Sequence, residues 1–365
     1  MWKILVILLC LTALILLVVM ICDSNRFVKV SYRISDRRLK KNCRVVLLAD
    51  LHNKSYGKHN EKLLAAIKSS NPDLILCAGD LITSRSGKSM EHAKELVRAI
   101  SAEYPFYYAK TFYDGQKAAG QDEVVNLIRC VYTGSQRFGI VLWSGDICAD
   151  FDSLRRQIKT GLHVALSGIP WWTTDIGGFH GGDPDSPQYR ECFIRWFQFG
   201  VFCPIFRMHG FRCRPDRPVS PPITLDGFCH SGGPNELWSY GEEAYEIIRK
   251  YVIIRERIRP YIHLHLRKAS KDGTPLMRPL FYDYPAEEYY DIFDQYMFGP
   301  DIMVCPIYEA SVQERDVVLP KGADWIDTET GITYKGGQKV KASAPLKTIP
   351  VFLRKGTDLT YRMFR

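Results

Sequence analysis

The stretch that decides the fold is LIRCVYTGSQRFGIVLWSGD, residues 127–146, followed by FDSLRRQIKTGL at 151–162 and HVALSGIPWWTTDIGG at 163–178. The first and third each read as a buried strand ending in polar or aromatic residues, and the middle one reads as a helix. VFCPIFRMHG at 201–210 shows the strand pattern again. Strand, helix, strand with chemistry-bearing residues at the strand ends is the grammar of a (β/α)8 barrel. Further on, NELWSYGEEAYEIIRKYVIIRERIRPYIHLHLRKA at 235–269 reads as a long helical stretch broken at Arg259-Pro260. From Gly273 the texture turns to short strands and turns, as in DIMVCPIYE at 301–309 and IPVFLRKGT at 349–357, which predicts a small β-sandwich. Only about three or four strands precede that sandwich, whereas a closed barrel of this kind needs about eight, so the barrel is expected to be partial.

Upstream, RVVLLAD (44–50), PDLILCAGD (72–80) and PFYYA (105–109) read as strands, and NEKLLAAIKSS (60–70) and SMEHAKELVRAI (89–100) as amphipathic helices. This βαβαβ pattern predicts a parallel sheet. Asp50, His52 and Asp80 stand at the carboxyl ends of its first two strands, the edge where open α/β sheets place their ligands. Carboxylates and an imidazole from adjacent strand ends are the donors that a divalent cation between phosphate oxygens requires.

The net charge of +9 (49 Lys and Arg against 40 Asp and Glu) is unevenly spread. Between Asp23 and Arg44, eight basic residues face two acidic ones, a net of +6. They follow Ile4 to Cys22, nineteen residues without a charge, which as helix would span about 28 Å and match a bilayer core. The expectation is a single-pass N-terminal membrane anchor, with the basic flank placing the body in the cytoplasm and meeting anionic membrane lipid, and with no nucleic-acid partner. Eleven cysteines with no Cys-x-x-Cys pair argue against a disulfide framework or a zinc knuckle and for reduced thiols. The spacing of Cys192, Cys203, Cys213 and Cys229 is too irregular for a metal site.

The segment VVLLADLHNKSYGKHNEKLLAAIKSSNPDLILCAGDLI, 45–82, resembles the amino-terminal part of membrane-anchored calcineurin-like metallophosphoesterases, over about residues 32–109. The resemblance implies Asp50, His52 and Asp80 as metal ligands, with Asp80 bridging two ions. The Gly-Asn-His and Gly-His-x-His motifs that would complete such a site do not occur in the chain. The His-x-His formed by His263 and His265 reads as helix, where the two side chains point about 200° apart. The site is therefore expected to be incomplete and its divalent metal weakly held.

Residues from Thr111 to about Leu359 resemble the carboxyl-terminal half of glycoside hydrolase family 31, the α-glucosidase and α-xylosidase family. RCVYTGSQRFGIVLWSGD, SGIPWWTTDIGGF, RWFQFGVFCPIFRMHG, SGGPNELWSYG and LPKGADWID fall in family order. The resemblance implies a retaining hydrolase of α-linked glycosides, without a cofactor, in which Asp146 is the general acid/base. It places Trp143 as a wall that keeps water from that carboxyl, Arg129, Asp175, Arg207 and His209 on the sugar hydroxyls, and Phe179 as a second aromatic wall. Retention requires a second carboxylate opposite the acid, and the strand that carries it in the family has no counterpart here. Asp80 lies 66 residues before Asp146, but its surroundings belong to the other resemblance. The expected fold is thus α/β, a partial (β/α)8 barrel with a C-terminal β-sandwich, preceded by a transmembrane helix and a βαβαβ fragment. Its parts are the anchor and basic segment (1–31), the phosphoesterase-like fragment (32–109), the barrel half (110–272) and the sandwich (273–365). The alternatives are a metal-dependent phosphoesterase and a membrane-anchored chimera without catalysis.

Overall fold

A computed structural model describes residues 16–17, 19–20, 26–35, 42–77, 91–103, 107–129, 131, 134–212 and 233–365. Most of the expected anchor, and Asp80, lie outside them. Among the described residues no helix is long and apolar enough to cross a membrane. The chain divides into two compact units, Met1–Phe112 and Tyr113–Arg365.

In the first unit, β1 (Val45–Leu48) and β2 (Leu74–Cys77) pair in parallel, Val45 against Leu74 and Leu48 against Cys77. Between them runs α1 (Glu61–Ser69), whose Leu63 and Ile67, four residues apart, face a small core with Leu48, Leu51, Tyr56 and Leu96. α2 (Glu91–Glu103) supplies Leu96. The expected third strand is corrected where it is described: Tyr107–Ala109 open a helix, α3 (Tyr107–Ala118), while Pro105 and Phe106 lie outside the described residues. Ala109 is buried while Tyr113 and Gln116 are half-buried, a spacing of four and three that belongs to a helix rather than a strand.

The second unit opens with a parallel sheet of β3 (Asn126–Ile128), β4 (Ile140–Trp143) and β5 (Trp172–Thr173), in that order. The run 127–146 holds two strands rather than one, joined through Gly139, whose φ is +63° and where a Cβ would stand 1.9 Å from the Val124 carbonyl oxygen. α4 (Phe151–Leu166) is capped by Asp150, whose carboxylate accepts from the Ser153 amide at 2.7 Å. A parallel bridge between Ile176 and Met208 continues the sheet's order by one more segment. Among the described residues this sheet has three strands, in keeping with a partial barrel.

Against the sheet packs α5 (Pro187–Val201). Trp196, Phe197, Phe199 and Phe202 are 0–1% exposed and form core, each contributing about 1.5–3 kcal/mol by burial. Trp172 joins them beside Phe199, ring centroids 6.4 Å apart; Trp171 is half-buried. α6 (Glu242–Arg257) and α7 (Arg259–Asp272) meet at Pro260, which starts the second helix.

The C-terminal part is antiparallel. A six-stranded sheet runs in the order β11-β10-β13-β8-β7-β6 and a two-stranded sheet pairs β12 with β9. In chain order these are β6 (Met277–Pro279), β7 (Tyr296–Phe298), β8 (Ile302–Val304), β9 (Glu314–Leu319), β10 (Asp324–Asp327), β11 (Thr333–Lys335), β12 (Gln338–Ser343) and β13 (Val351–Arg354). Val317, Leu319 and Ala342 of the small sheet share one buried cluster with Met297, Met303, Trp325 and Phe352 of the large one, which is the two-layer sandwich expected. Arg195 of α5, 1% exposed, donates to the carbonyls of Val312, Ala344, Pro345 and Thr348 at 2.8–3.2 Å, and burial pulls its guanidinium down to about 10.

Candidate active site

Four successive parallel segments deliver the site residues at their carboxyl ends. Arg129 directly follows β3, Asp146 follows β4 by three residues, and Asp175 follows β5 by two. Arg207 and His209 flank Met208, the bridge partner of Ile176. Alternation along a strand puts Arg207 and His209 on one face and Met208 on the other. The turn after β5 needs glycine: Gly178 has φ +79° and a Cβ there would stand 2.5 Å from the Ala149 Cα. This close approach lets the Phe179 and His180 amides both reach the Ile147 carbonyl, at 2.8 and 2.9 Å, joining the Asp175 loop to the Asp146 loop.

Arg129 Nη1 stands 3.8 Å from Asp146 Oδ2, with the two side chains 60% and 40% exposed. Asp146 is thus open to water, and the dry wall expected from Trp143 is not closed around it; Trp143 itself is half-buried at the end of β4, opposite Thr173. Asp175 is the opposite case. Its side chain is 0% exposed and its Oδ1 accepts from Arg207 Nη2 in an ion pair. Burial raises its carboxyl above the ordinary range; Arg207 and His209 pull it down, and the charge of Asp146 adds to the rise. Phe179 lies against His209, ring centroids 5.4 Å apart.

Among the described residues, several buried polar atoms here lack a partner: Ser144 Oγ, Thr174 Oγ1, Asp175 Oδ2 and Arg207 Nε. Each such atom costs about 1–3 kcal/mol. Their concentration at one sheet edge is what a site for a hydroxyl-rich ligand would show. A sugar hydroxyl reaching Asp175 Oδ2 must displace the side chains that cover it.

The sequence-derived residues Arg129, Asp146, Asp175, Phe179, Arg207 and His209 are therefore gathered by one sheet edge. Sequence reasoning missed the side chains behind it, above all Arg212 and Tyr189, whose bonds go mainly to backbone carbonyls, and Tyr240, which links Arg212 to Asn235. In the first unit Asp50 Oδ1 and His52 Nε2 lie 3.9 Å apart, 76% and 45% exposed. Among the described residues no three His, Cys, Asp or Glu side chains are arranged to hold a metal ion. Two donors alone do not make a dinuclear site.

Comparison with known proteins agrees with this geometry. Residues 50–264 match the family model for the glycosyl hydrolases family 31 TIM-barrel domain, and residues 273–358 that for the family 31 C-terminal domain. The chain is 38% identical to an α-xylosidase of Saccharolobus solfataricus over 257 residues, 70% of this chain and 32% of that protein. It is 34% identical to α-xylosidase A of Aspergillus niger, covering 68% of this chain and 36% of that one. A family 31 α-xylosidase from a soil metagenome, solved with xylose, superposes with a TM-score of 0.64 at 49% identity, covering 72% of this chain and 38% of the other. A family 31 dextranase of Flavobacterium johnsoniae, solved with glucose, has a TM-score of 0.62 at 31% identity, with shares of 71% and 30%. The chain spans about a third of the length of these relatives. On its matched barrel and C-terminal domains, it belongs to glycoside hydrolase family 31.

Proposed function

We propose that this chain carries the acid/base and sugar-binding part of a retaining α-glycosidase site, with α-xylosides or α-glucosides as its ligands. The observation that carries the reading is the convergence of Asp146, Arg129, Asp175, Arg207 and His209 on the carboxyl edge of one parallel sheet. Asp146 donates the proton to the leaving oxygen. Asp175, Arg207 and His209 fix the pyranose hydroxyls by charge-assisted bonds, Arg129 steers the acid, and Phe179 and Trp143 flank the ring. Two-carboxylate chemistry of this kind asks for no cofactor. No described residue is assigned as nucleophile, so hydrolysis by this chain is impaired. Similarity to two α-xylosidases, and to a structure solved with xylose, favours the α-xyloside branch.

Calorimetric titration with methyl α-xyloside and methyl α-glucoside tests the reading. Binding of the xyloside that is lost in His209→Ala supports it, and failure of both sugars to bind at millimolar concentration refutes it.

For residues 1–109 the reading stays that of a phosphoesterase-like fragment (32–109) behind a lipid-embedded anchor (1–31), with the body in the cytoplasm. It rests on the DLH and AGD motifs and on the proximity of Asp50 to His52.

A further inference from the structure

Arg212 lies three residues past His209 and is 0% exposed. Its guanidinium donates to the carbonyl oxygens of Ile176 (3.3 Å), Gly178 (3.0 Å), Gly181 (3.2 Å) and Phe211 (2.9 Å), and its Nε to the Tyr240 hydroxyl at 2.7 Å. The Tyr240 hydroxyl donates in turn to Asn235 Oδ1, and Asn235 Nδ2 donates to the Gly210 carbonyl at 3.0 Å. Tyr189, whose ring lies 5.4 Å from the guanidinium carbon, donates its hydroxyl to the Gly177 carbonyl at 2.9 Å. Tyr240 is itself held by stacking on Phe193, with centroids 3.7 Å apart.

Six carbonyls on two loops are thus held by Arg212, Tyr189 and Asn235. One loop, 176–181, follows Asp175 and carries Phe179; the other, 210–211, follows His209. The loops also touch each other, since the Phe211 amide donates to the Phe179 carbonyl at 3.0 Å. We propose that Arg212 is a positioning residue for sugar binding: it locks the two loops together so that Asp175, Phe179 and His209 meet the ligand as one preformed set. The inference rests on the α-glycoside reading of the site. Ordering these loops in advance removes a cost that binding would otherwise carry. A lysine cannot replace the fork, because a point cation on a flexible stem cannot reach four carbonyls spread around a planar guanidinium.

The test compares the unmodified chain with Arg212→Lys and Tyr240→Phe by three measurements: amide hydrogen exchange, thermal unfolding, and calorimetric affinity for methyl α-xyloside across pH. In Arg212→Lys the amides of 178–180 and 211 are expected to exchange about tenfold faster or more, without a matching rise elsewhere. Affinity should fall about tenfold or more, because the loops must then be ordered on binding. The acid limb of binding should move to lower pH, because a loosened loop admits water to Asp175 while Arg207, His209 and Asp146 still surround it. Tyr240→Phe keeps the stack on Phe193 and is expected to give the same changes, smaller, in a chain that melts near the original temperature. If Arg212→Lys does not fold, that second variant decides.

A lower melting temperature with unchanged affinity and unchanged acid limb in the folded chain would show a merely structural role and overturn the inference. If the unmodified chain binds no α-xyloside, the site reading fails on its own. Exchange still judges the lock: unchanged exchange at 178–180 and 211, or a uniform rise along the chain, overturns it, and a local rise supports it.

Discussion

Replacing Asp175 by Asn separates what this carboxylate does for stability from what it does for binding. The side chain is fully buried, with Oδ1 on Arg207 and Oδ2 without a donor among the described residues, and the amide has nearly the same shape. An unperturbed aspartate titrates near about 3.9, and burial lifts Asp175 above its ordinary value against the pull of Arg207 and His209. A folded value above the unfolded one means that the folded chain binds the proton more tightly. Stability therefore falls as pH rises from about 4 through the raised value. Above that window the native carboxylate is a cost that Asn lacks; below it, the neutral acid and the amide are equivalent. Arg207 is 23% exposed, so it can turn to water instead of being stranded. Asp175→Asn is thus expected to equal the native chain in stability near pH 4 and to be at least as stable at pH 7. Binding should move the other way. A bond involving a charged group contributes about 1.5–3 kcal/mol and a neutral one about 0.5–1.5, so the loss of about 1–1.5 kcal/mol weakens sugar binding about tenfold. Urea unfolding in half-unit pH steps and calorimetry with methyl α-xyloside measure both. If the native chain gains stability over the Asn variant as pH rises from 4 to 7, attraction by Arg207 outweighs burial and the reasoning is refuted.

Hydrolysis of an aryl α-xyloside is expected to stay near background, because a general acid alone contributes only about 10² to 10⁴, and azide should raise turnover of an activated substrate where Asp146 is intact. Robust retaining turnover lost in both Asp80→Ala and Asp146→Ala would instead make Asp80 the nucleophile. Purified protein should carry well under one equivalent of Mn²⁺ by elemental analysis; two tightly held ions together with phosphodiester turnover would contradict the half-site reading of Asp50, His52 and Asp80. Arg195→Met leaves the carbonyls of Val312, Ala344, Pro345 and Thr348 without their buried donor and should lower stability by about 3 kcal/mol or more in chemical denaturation.

The parts of the fold that were legible in the sequence are those where one local signal is unopposed. Ile140–Trp143 is an apolar run closed by Ser-Gly-Asp, and it forms β4 with Asp146 at its end. Pro260 parts α6 from α7 as its missing amide requires. Two short apolar runs misled. PFYYA carries strand-favouring aromatics, but Tyr107 and Tyr108 open a helix whose Ala109, Lys110, Gln116, Lys117 and Ala118 are good helix formers. In HVALSGIPWW the first four residues end α4, and the strand shrinks to Trp172–Thr173, because a buried helix end and a buried strand look alike over so few positions. The candidate site residues could be named because each falls in a motif that carries the resemblance to family 31. Arg212 could not, since backbone carbonyls from Ile176 to Phe211 leave no mark in residue identity.

The buried Arg195 has a consequence for where this protein can be cut. Its cation sits on a barrel helix and its four sandwich carbonyls come from residues 312–348, so each side is unsatisfied without the other. Tyr251 of α6 adds two further ties, accepting from the Ile349 amide at 3.0 Å and donating to the Lys347 carbonyl at 3.1 Å, and Tyr296 of β7 donates to the Phe202 carbonyl at 2.9 Å. The change in architecture at Gly273 is therefore not a seam in cooperativity. Residues 113–365 should melt in a single transition, and a sandwich excised at Gly273 would expose an apolar face with several unpartnered carbonyls and self-associate rather than stand alone.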